Sequence, residues 1–410
     1  MPMNSKHQAV LVIGSAQVIA SAGGHYLPAV IASPMARSLD LPDYTLFAAF
    51  SGALVVSALV GPSAGRVVDR LGGRPVLLSS NLLFASGLIT LGFAQGLFWI
   101  ILAYCLIGLG LATGLFEVAF AALVKLFGQK SRDAITGITL ISGMASFVGW
   151  TVSVYVENLY GWRGVCWFWA GVHLLVGLPL HSLIPRIQGQ LSSPPDTSNR
   201  PSTKATAQPL SDTSRSTNDK QAKQNRSWVF VTSLLLAYVF AANSFVGMGL
   251  MMHLPQLLQD FGVTLAIAFT IGSLVGPSQI IGRLLEYFFM RRWHPLYSTR
   301  LAALSHPIAA VVLLLAGAPW AAFFVIVHGI GNGILIIARG TLPLAIFGAG
   351  RYGHRQGWLM MPAKFSQAAA PFVFGLIIND WQTDTLWLTA AMGCSVLLAL
   401  CVIRPQAKPA

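Results

Sequence analysis

Apolar residues run in stretches of about 20 from one end of the chain to the other, separated by short polar breaks. Each stretch is long enough to cross a hydrocarbon core of ~30 Å, and none shows the two-residue alternation of a barrel strand. In lipid every backbone N–H and C=O must be paired within its own segment, so these stretches read as helices. Twelve are expected, near 9–33, 45–68, 75–94, 97–124, 134–156 and 164–184, then 228–255, 264–290, 299–317, 320–347, 357–378 and 384–403. The longest break, 187–227, is rich in Ser, Thr, Pro, Asp, Lys and Gln and almost free of large apolar residues, which predicts a disordered linker. The reading is an all-α membrane protein with a six-helix bundle over 1–186 and a second over 228–410.

Composition agrees: 55% of the 410 residues are hydrophobic and only 10% are charged, against ~25% in soluble domains. The net charge of +13 changes the picture only through its placement. Lys and Arg cluster between the apolar stretches, with no basic domain and no basic patch interleaved with aromatics, which argues against nucleic-acid binding. Arg66, Arg70, Arg74, Lys125, Lys130, Arg132, the linker's basic residues, Arg291, Arg292, Arg300, Arg351 and Arg355 fall on one side, while Arg37 and Arg163 fall on the other. The positive-inside rule then places both termini and the linker in the cytoplasm, with the chain in the inner membrane. The first apolar stretch is too long for a signal-peptide core and is expected to stay as helix 1. Cys105, Cys166, Cys394 and Cys401 all lie in apolar stretches and read as small packing residues. No cluster with metal-ligand spacing, no nucleophile–base arrangement and no Gly-x-x-x-x-Gly-Lys-Ser/Thr loop occurs. An enzyme, a bound cofactor or metal, and ATP-driven transport are therefore not expected.

The two halves carry traces of a repeat. "GPSAGRVVD" (Gly61 to Asp69) returns loosely as "GPSQIIGRLLE" (Gly276 to Glu286). Leu126-Phe127-Gly128 answers Ile346-Phe347-Gly348, and Gly137 answers Gly357 at the same offset. Two parallel six-helix repeats joined by a linker resemble the major facilitator superfamily. The sharpest part of that resemblance is Gly65-Arg-Val-Val-Asp69-Arg70-Leu-Gly72-Gly73-Arg74, similar to the family's helix 2–3 loop motif, with Pro75 in the last basic position. It implies a gate that stabilises one access state: Gly65 permits close helix approach, and Asp69 faces a helix N-terminus or a basic partner across the halves. Arg70 and Arg74 are expected on the cytoplasmic surface.

The chain outside the linker also resembles the monocarboxylate and oxalate–formate porter branch. "YGWRG" (Tyr160 to Gly164) before helix 6 is similar to that branch, and Gln279 and Arg283 lie one turn apart on helix 8. Monocarboxylate porters carry an Asp and an Arg at this spacing, so Gln279 stands where they carry the acid. The oxalate–formate relatives hold a dicarboxylate with an Arg on helix 8 and a Lys on helix 11, which the resemblance carries to Arg283 and Lys364. The repeat gives a competing register, with Arg283 opposite Arg66 near the cytoplasmic end.

Few ionisable residues fall inside the apolar stretches: Glu117, Arg283, Glu286, Arg339 and Lys364. A charge at mid-membrane costs a few kcal/mol or more, so each needs a partner or a wet cavity. At 1.5 Å per residue, Glu117 lies ~12 Å inside Lys125, Arg283 ~12 Å inside Arg291, Arg339 ~13 Å from Gly348 and Lys364 ~10 Å from Gly357. These four share one level, an electropositive chamber near the midplane. Under the repeat, Glu117 falls opposite Ile337, beside Arg339, which predicts a Glu117–Arg339 pair. A fixed structural ion pair and a protonatable switch are both compatible with it. Glu286, one turn nearer the cytoplasm, reads as a partner of Arg283 or as a gate residue. His25 and Tyr26, beside Gly23, Gly24 and Pro28, mark a broken segment on a substrate path. His253 and His328 read first as hydrogen-bonded packing residues. The Gly-rich "GLGLATG" and "GIGNG" follow no strand and read as helix contacts.

Together these features predict a monomeric secondary carrier for a small organic or oxy-anion, with proton coupling open and the bilayer as its surroundings. The alternative is an exporter of drugs or toxic compounds, whose helix 5 motif contains a proline that "SGMASFVGW" (Ser142 to Trp150) lacks.

Overall fold

The protein is described by a computed structural model covering residues 6–42, 44–185 and 212–404, with side chains from 227 onward in the last segment. Twelve spans are present among the described residues: α1 (Lys6–Ser38), α2 (Tyr44–Leu71), α3 (Gly73–Gly92), α4 (97–127), α5 (132–160), α6 (162–182), α7 (Asp212–Asp260), α8 (Leu265–Met290), α9 (Pro295–Ala316), α10 (Ala321–Phe347), α11 (Tyr352–Trp381) and α12 (Thr385–Val402). The linker expected over 187–227 lies outside the described residues up to 211. From Asp212 its backbone continues as the start of α7.

Most joints are explained by single residues. Gly72 turns the chain from α2 into α3 at φ 84°, a left-handed conformation that side chains resist. Gly161, at φ 65°, separates α5 from α6. Within α1 the backbone widens into a π-turn over Ser21–Tyr26. Pro28 follows it, and a proline supplies no N–H and crowds the carbonyl four residues back, here that of Gly24. The break expected near His25 is thus a π-turn in an otherwise continuous helix.

Apolar packing is organised by halves but crosses between them. One cluster from α1–α6 takes in Met248 of α7 and Ala370 of α11. A second, at the end carrying the Asp69 motif and most of the basic loops, takes in Leu344 of α10 and Tyr352 of α11. Outward, Phe98, Phe147, Leu175, Phe230, Phe289, Leu315 and Phe372 are exposed. An apolar surface of that extent suits a lipid environment, not water. The small residues of α4 and α10 sit at close crossings: a Cβ on Gly108 would lie 2.6 Å from the Ala53 carbonyl, and one on Gly333 2.2 Å from that of Gln279.

Candidate functional site

At the basic end the two halves are latched twice. The first four N–H groups of a helix lack internal partners and carry its positive dipole end. In α11 two of these meet Asp69 at the end of α2: Gly353 N–H donates to Oδ1 at 2.9 Å and His354 N–H to Oδ2 at 2.8 Å. The approach requires the motif's first glycine, because a Cβ on Gly65 would lie 2.0 Å from the Gly353 carbonyl. Lys125 of α4 donates to the Asp69 carbonyl at 2.8 Å, while Arg70 is exposed and Arg74 half-buried. In the second latch Arg132, first residue of α5, donates to Glu286 of α8 at 3.0 Å and to the Met290 carbonyl at 3.3 Å. Asp69 and Glu286 are the ends of the repeated sequence, and each grips the start of a helix in the other half. Glu286 therefore partners Arg132, not Arg283.

Arg283 lies one turn deeper. It is buried, and its Nη1 donates to the Thr139 carbonyl of α5 at 2.7 Å, again across the halves. Its Nε has no hydrogen-bond partner among the described residues. Tyr26 is within electrostatic reach of it, so Arg283 sits where the latched end meets the interior. Gln279, half-buried on the same helix, has its backbone pressed against Gly333.

Further inward, α4 is interrupted. Leu115 is extended (φ −88°, ψ −171°), so Leu97–Gly114 and Phe116–Phe127 are separate helices within one span. The freed Gly114 carbonyl accepts a 2.6 Å hydrogen bond from Gln17 of α1, which is fully buried. Glu117 occupies the first turn of the second piece, where the helix dipole favours a carboxylate. Its Oε2 lies 3.5 Å from the Lys364 ammonium of α11, which also donates to Ser57 of α2 at 3.0 Å. The expected Glu117–Arg339 pair is thus replaced by Glu117–Lys364. Arg339 stands within electrostatic reach of Glu117, but its Nη2 donates to Ser244 of α7 at 3.1 Å. Among the described residues it has no carboxylate in contact. Repeat symmetry placed Glu117 and Arg339 at one level; it did not show that Lys364, from a third helix, reaches the carboxylate first. Gln356 donates to the Arg339 carbonyl at 2.9 Å, leaving its own Oε1 without a partner.

His25 joins this centre, since Lys364, Glu117 and Arg339 all lie within electrostatic reach of it. The interior thus gathers Glu117, Lys364, Arg339, His25 and, at its floor, Arg283 with Tyr26. Gln17, Ser57, Ser244, Arg132 and the break at Leu115 frame these contacts and were not singled out as site residues from the sequence. Arg132 was findable, because the repeat that pairs Asp69 with Glu286 also pairs the start of α11 with the start of α5.

Other imidazoles make local contacts. His253 Nε2 bonds the Pro371 carbonyl at 2.8 Å. His306 and His328 share a 3.0 Å Nδ1–Nδ1 hydrogen bond beside a cavity of ≈30 Å³ between α7, α9, α10 and α12, room for about one water. No group of three side chains suited to a metal occurs among the described residues.

Comparison with known proteins bears on the whole arrangement. Of solved structures, the human organic anion transporter MFSD10 (TETRAN) superposes with a TM-score of 0.70 at 14% identity, covering 97% of this chain and 100% of that one. The proton:xylose symporter XylE bound to 6-bromo-6-deoxy-D-glucose gives 0.65 at 16% identity, covering 96% and 93%. At such identities the likeness concerns the fold. No curated protein sequence matches significantly. Residues 13–326 match the profile of the Major Facilitator Superfamily, and the chain is a multi-pass membrane transporter of that family.

Proposed function

We propose that the protein is a secondary carrier of small organic anions, working by alternating access in the inner membrane with its basic end in the cytoplasm. The observation that carries this reading is the charge balance at the centre. Among the described residues, Arg339 and Lys364 have one carboxylate near them, Glu117, which pairs with Lys364, while Arg283 below them donates to the Thr139 carbonyl. A buried cation without an anion is unfavourable, and a carboxylate substrate relieves that cost. Arg339 presents the planar fork that matches a carboxylate, with its Nε still without a partner. The porter-branch resemblance assigned anion binding to Arg283 and Lys364. The geometry favours Arg339 as first contact, with Lys364 available once Glu117 lets go.

Glu117 supplies the coupling. Its carboxylate and the substrate's compete for the same ammonium, so protonation of Glu117 and anion binding favour one another. The outcome is symport of a proton with an anion.

The test is uptake into proteoliposomes of radiolabelled carboxylates, with and without an inward proton gradient, for wild type and Arg339→Gln. Gradient-stimulated uptake that falls at least ~10-fold in the variant is expected, since a lost charge-assisted pair is worth ~1.5–3 kcal/mol. Unimpaired anion uptake by Arg339→Gln would refute the site. Transport of cationic drugs alone would restore the exporter reading.

A further inference from the structure

We infer that the anion carries a flat aromatic body, because the first half presents a continuous aromatic wall to the charged centre; this rests on the anion reading above. Four edge-to-face contacts string five rings across four helices. Trp150 of α5 meets Tyr26 of α1 at 5.8 Å between centroids, and Tyr26 meets His25 at 5.3 Å. His25 then meets Phe50 of α2 at 5.7 Å, and Phe50 meets Tyr104 of α4 at 6.2 Å. Interplanar angles of 64–85° among these pairs leave ring faces that the pairs themselves do not cover.

Burial divides the wall into a back and a front. Phe50 and Tyr104 are 5% and 2% exposed and fix its position. His25 and Tyr26 are only half-buried. Lys364, Glu117 and Arg339 are within electrostatic reach of His25, and Arg283 is within reach of Tyr26. Both consecutive rings lie on the π-turn over Ser21–Tyr26, and π-turns are frequent where helices carry function. From the second half, Arg339 and Lys364 are the charges within reach of His25. One side of the chamber therefore suits a carboxylate and the other an apolar ring.

Distance sets the size of the guest. Ser57, which holds Lys364, and Phe50 are seven residues apart on α2, ~10 Å along the helix. A one-ring acid with its carboxylate on the cations extends its ring over His25 and Tyr26. Acetate or oxalate satisfies the cations but leaves the wall uncovered. Aromatic contacts of this kind favour ring-bearing ligands beyond simple area burial.

The experiment is calorimetric titration of the purified full chain with benzoate, acetate, oxalate and benzylamine, for wild type, Tyr26→Leu and Tyr26→Phe. Benzoate should bind wild type at least ~10-fold tighter than acetate, about 1.4 kcal/mol. Tyr26→Leu should weaken benzoate several-fold more than acetate, and Tyr26→Phe should keep the wild-type preference and show that the site tolerates substitution. Acetate or oxalate binding as tightly as benzoate, or equal losses for both in Tyr26→Leu, overturns the aromatic inference and leaves the anion reading standing. Binding of benzylamine with none of the anions overturns both.

Discussion

Two of the carboxylates that join the halves of this molecule, Asp69 and Glu117, do so in opposite ways. Asp69 uses both oxygens on backbone N–H groups at 2.8 and 2.9 Å, donors that neither rotate away nor titrate. Glu117 meets one ammonium at 3.5 Å, on a flexible side chain that also has a hydroxyl to hold. The first arrangement is made for holding: a helix terminus, a glycine contact and a charge all fix the same distance. The second is made for exchange, because a lysine shared between two partners accepts a third at little cost. The proposed carrier cycle uses one of each, a latch for an access state and a centre whose pairing answers to substrate.

This contrast can be broken most forcefully at Gly65. A Val there would drive its Cβ into the Gly353 carbonyl, so the basic end should fail to close and turnover should fall on the order of 100-fold, as overpacking of 1–3 kcal/mol allows. Pulsed electron-spin distances between labels on the α2–α3 and α10–α11 loops should lengthen, and an unchanged distance would show that the seam is not the latch. Asp69→Asn keeps one acceptor oxygen and loses the charge. It should shift the same distances by a smaller population change, ~5–30-fold for the ~1–2 kcal/mol of a weakened charged hydrogen bond, and slow transport without loss of insertion. Arg132→Gln at the second latch should act in the same direction.

The smallest effect concerns His294, in the loop between α8 and α9. Its Nδ1 accepts from Leu296 N–H at the start of α9. Partial burial, then the charges of Arg132 and Arg300, hold its imidazole below the ordinary value. A depressed histidine contributes fully above the unfolded value of ~6.5, and the contribution is lost as pH falls from there toward the native value. Thermal stability should therefore decline slightly on acidification, and His294→Asn, a cap that does not titrate, should flatten that decline.

How much of this was legible beforehand follows from the kind of signal each feature leaves. The spans and the Asp69 motif were legible because lipid forces long apolar runs and because a seam between helices demands glycine at fixed spacing. Pro28 announced the disturbance near His25. The level of Glu117, Arg339 and Lys364 was legible from helix rise alone. Which of them pair was not, because depth gives no azimuth: Lys364 and Arg339 differ in the direction they leave their helices. The break at Leu115 follows Gly114, but Gly108 and Gly110 in the same span stay helical, so only the tertiary structure, with Gln17 on the Gly114 carbonyl, shows which glycine marks it. The register of Arg283 was open because both readings are partly met: it lies with the latch, facing Thr139, and borders the chamber through Tyr26.

The central claim is that substrate anion and Glu117 compete for Lys364. Its most direct test is the affinity of the purified protein for benzoate, measured by calorimetry for wild type and Glu117→Gln. The variant leaves Lys364 without a competing carboxylate, so the account predicts benzoate binding roughly 10-fold tighter than wild type, about 1.4 kcal/mol. Benzoate affinity unchanged or weakened in Glu117→Gln would contradict it.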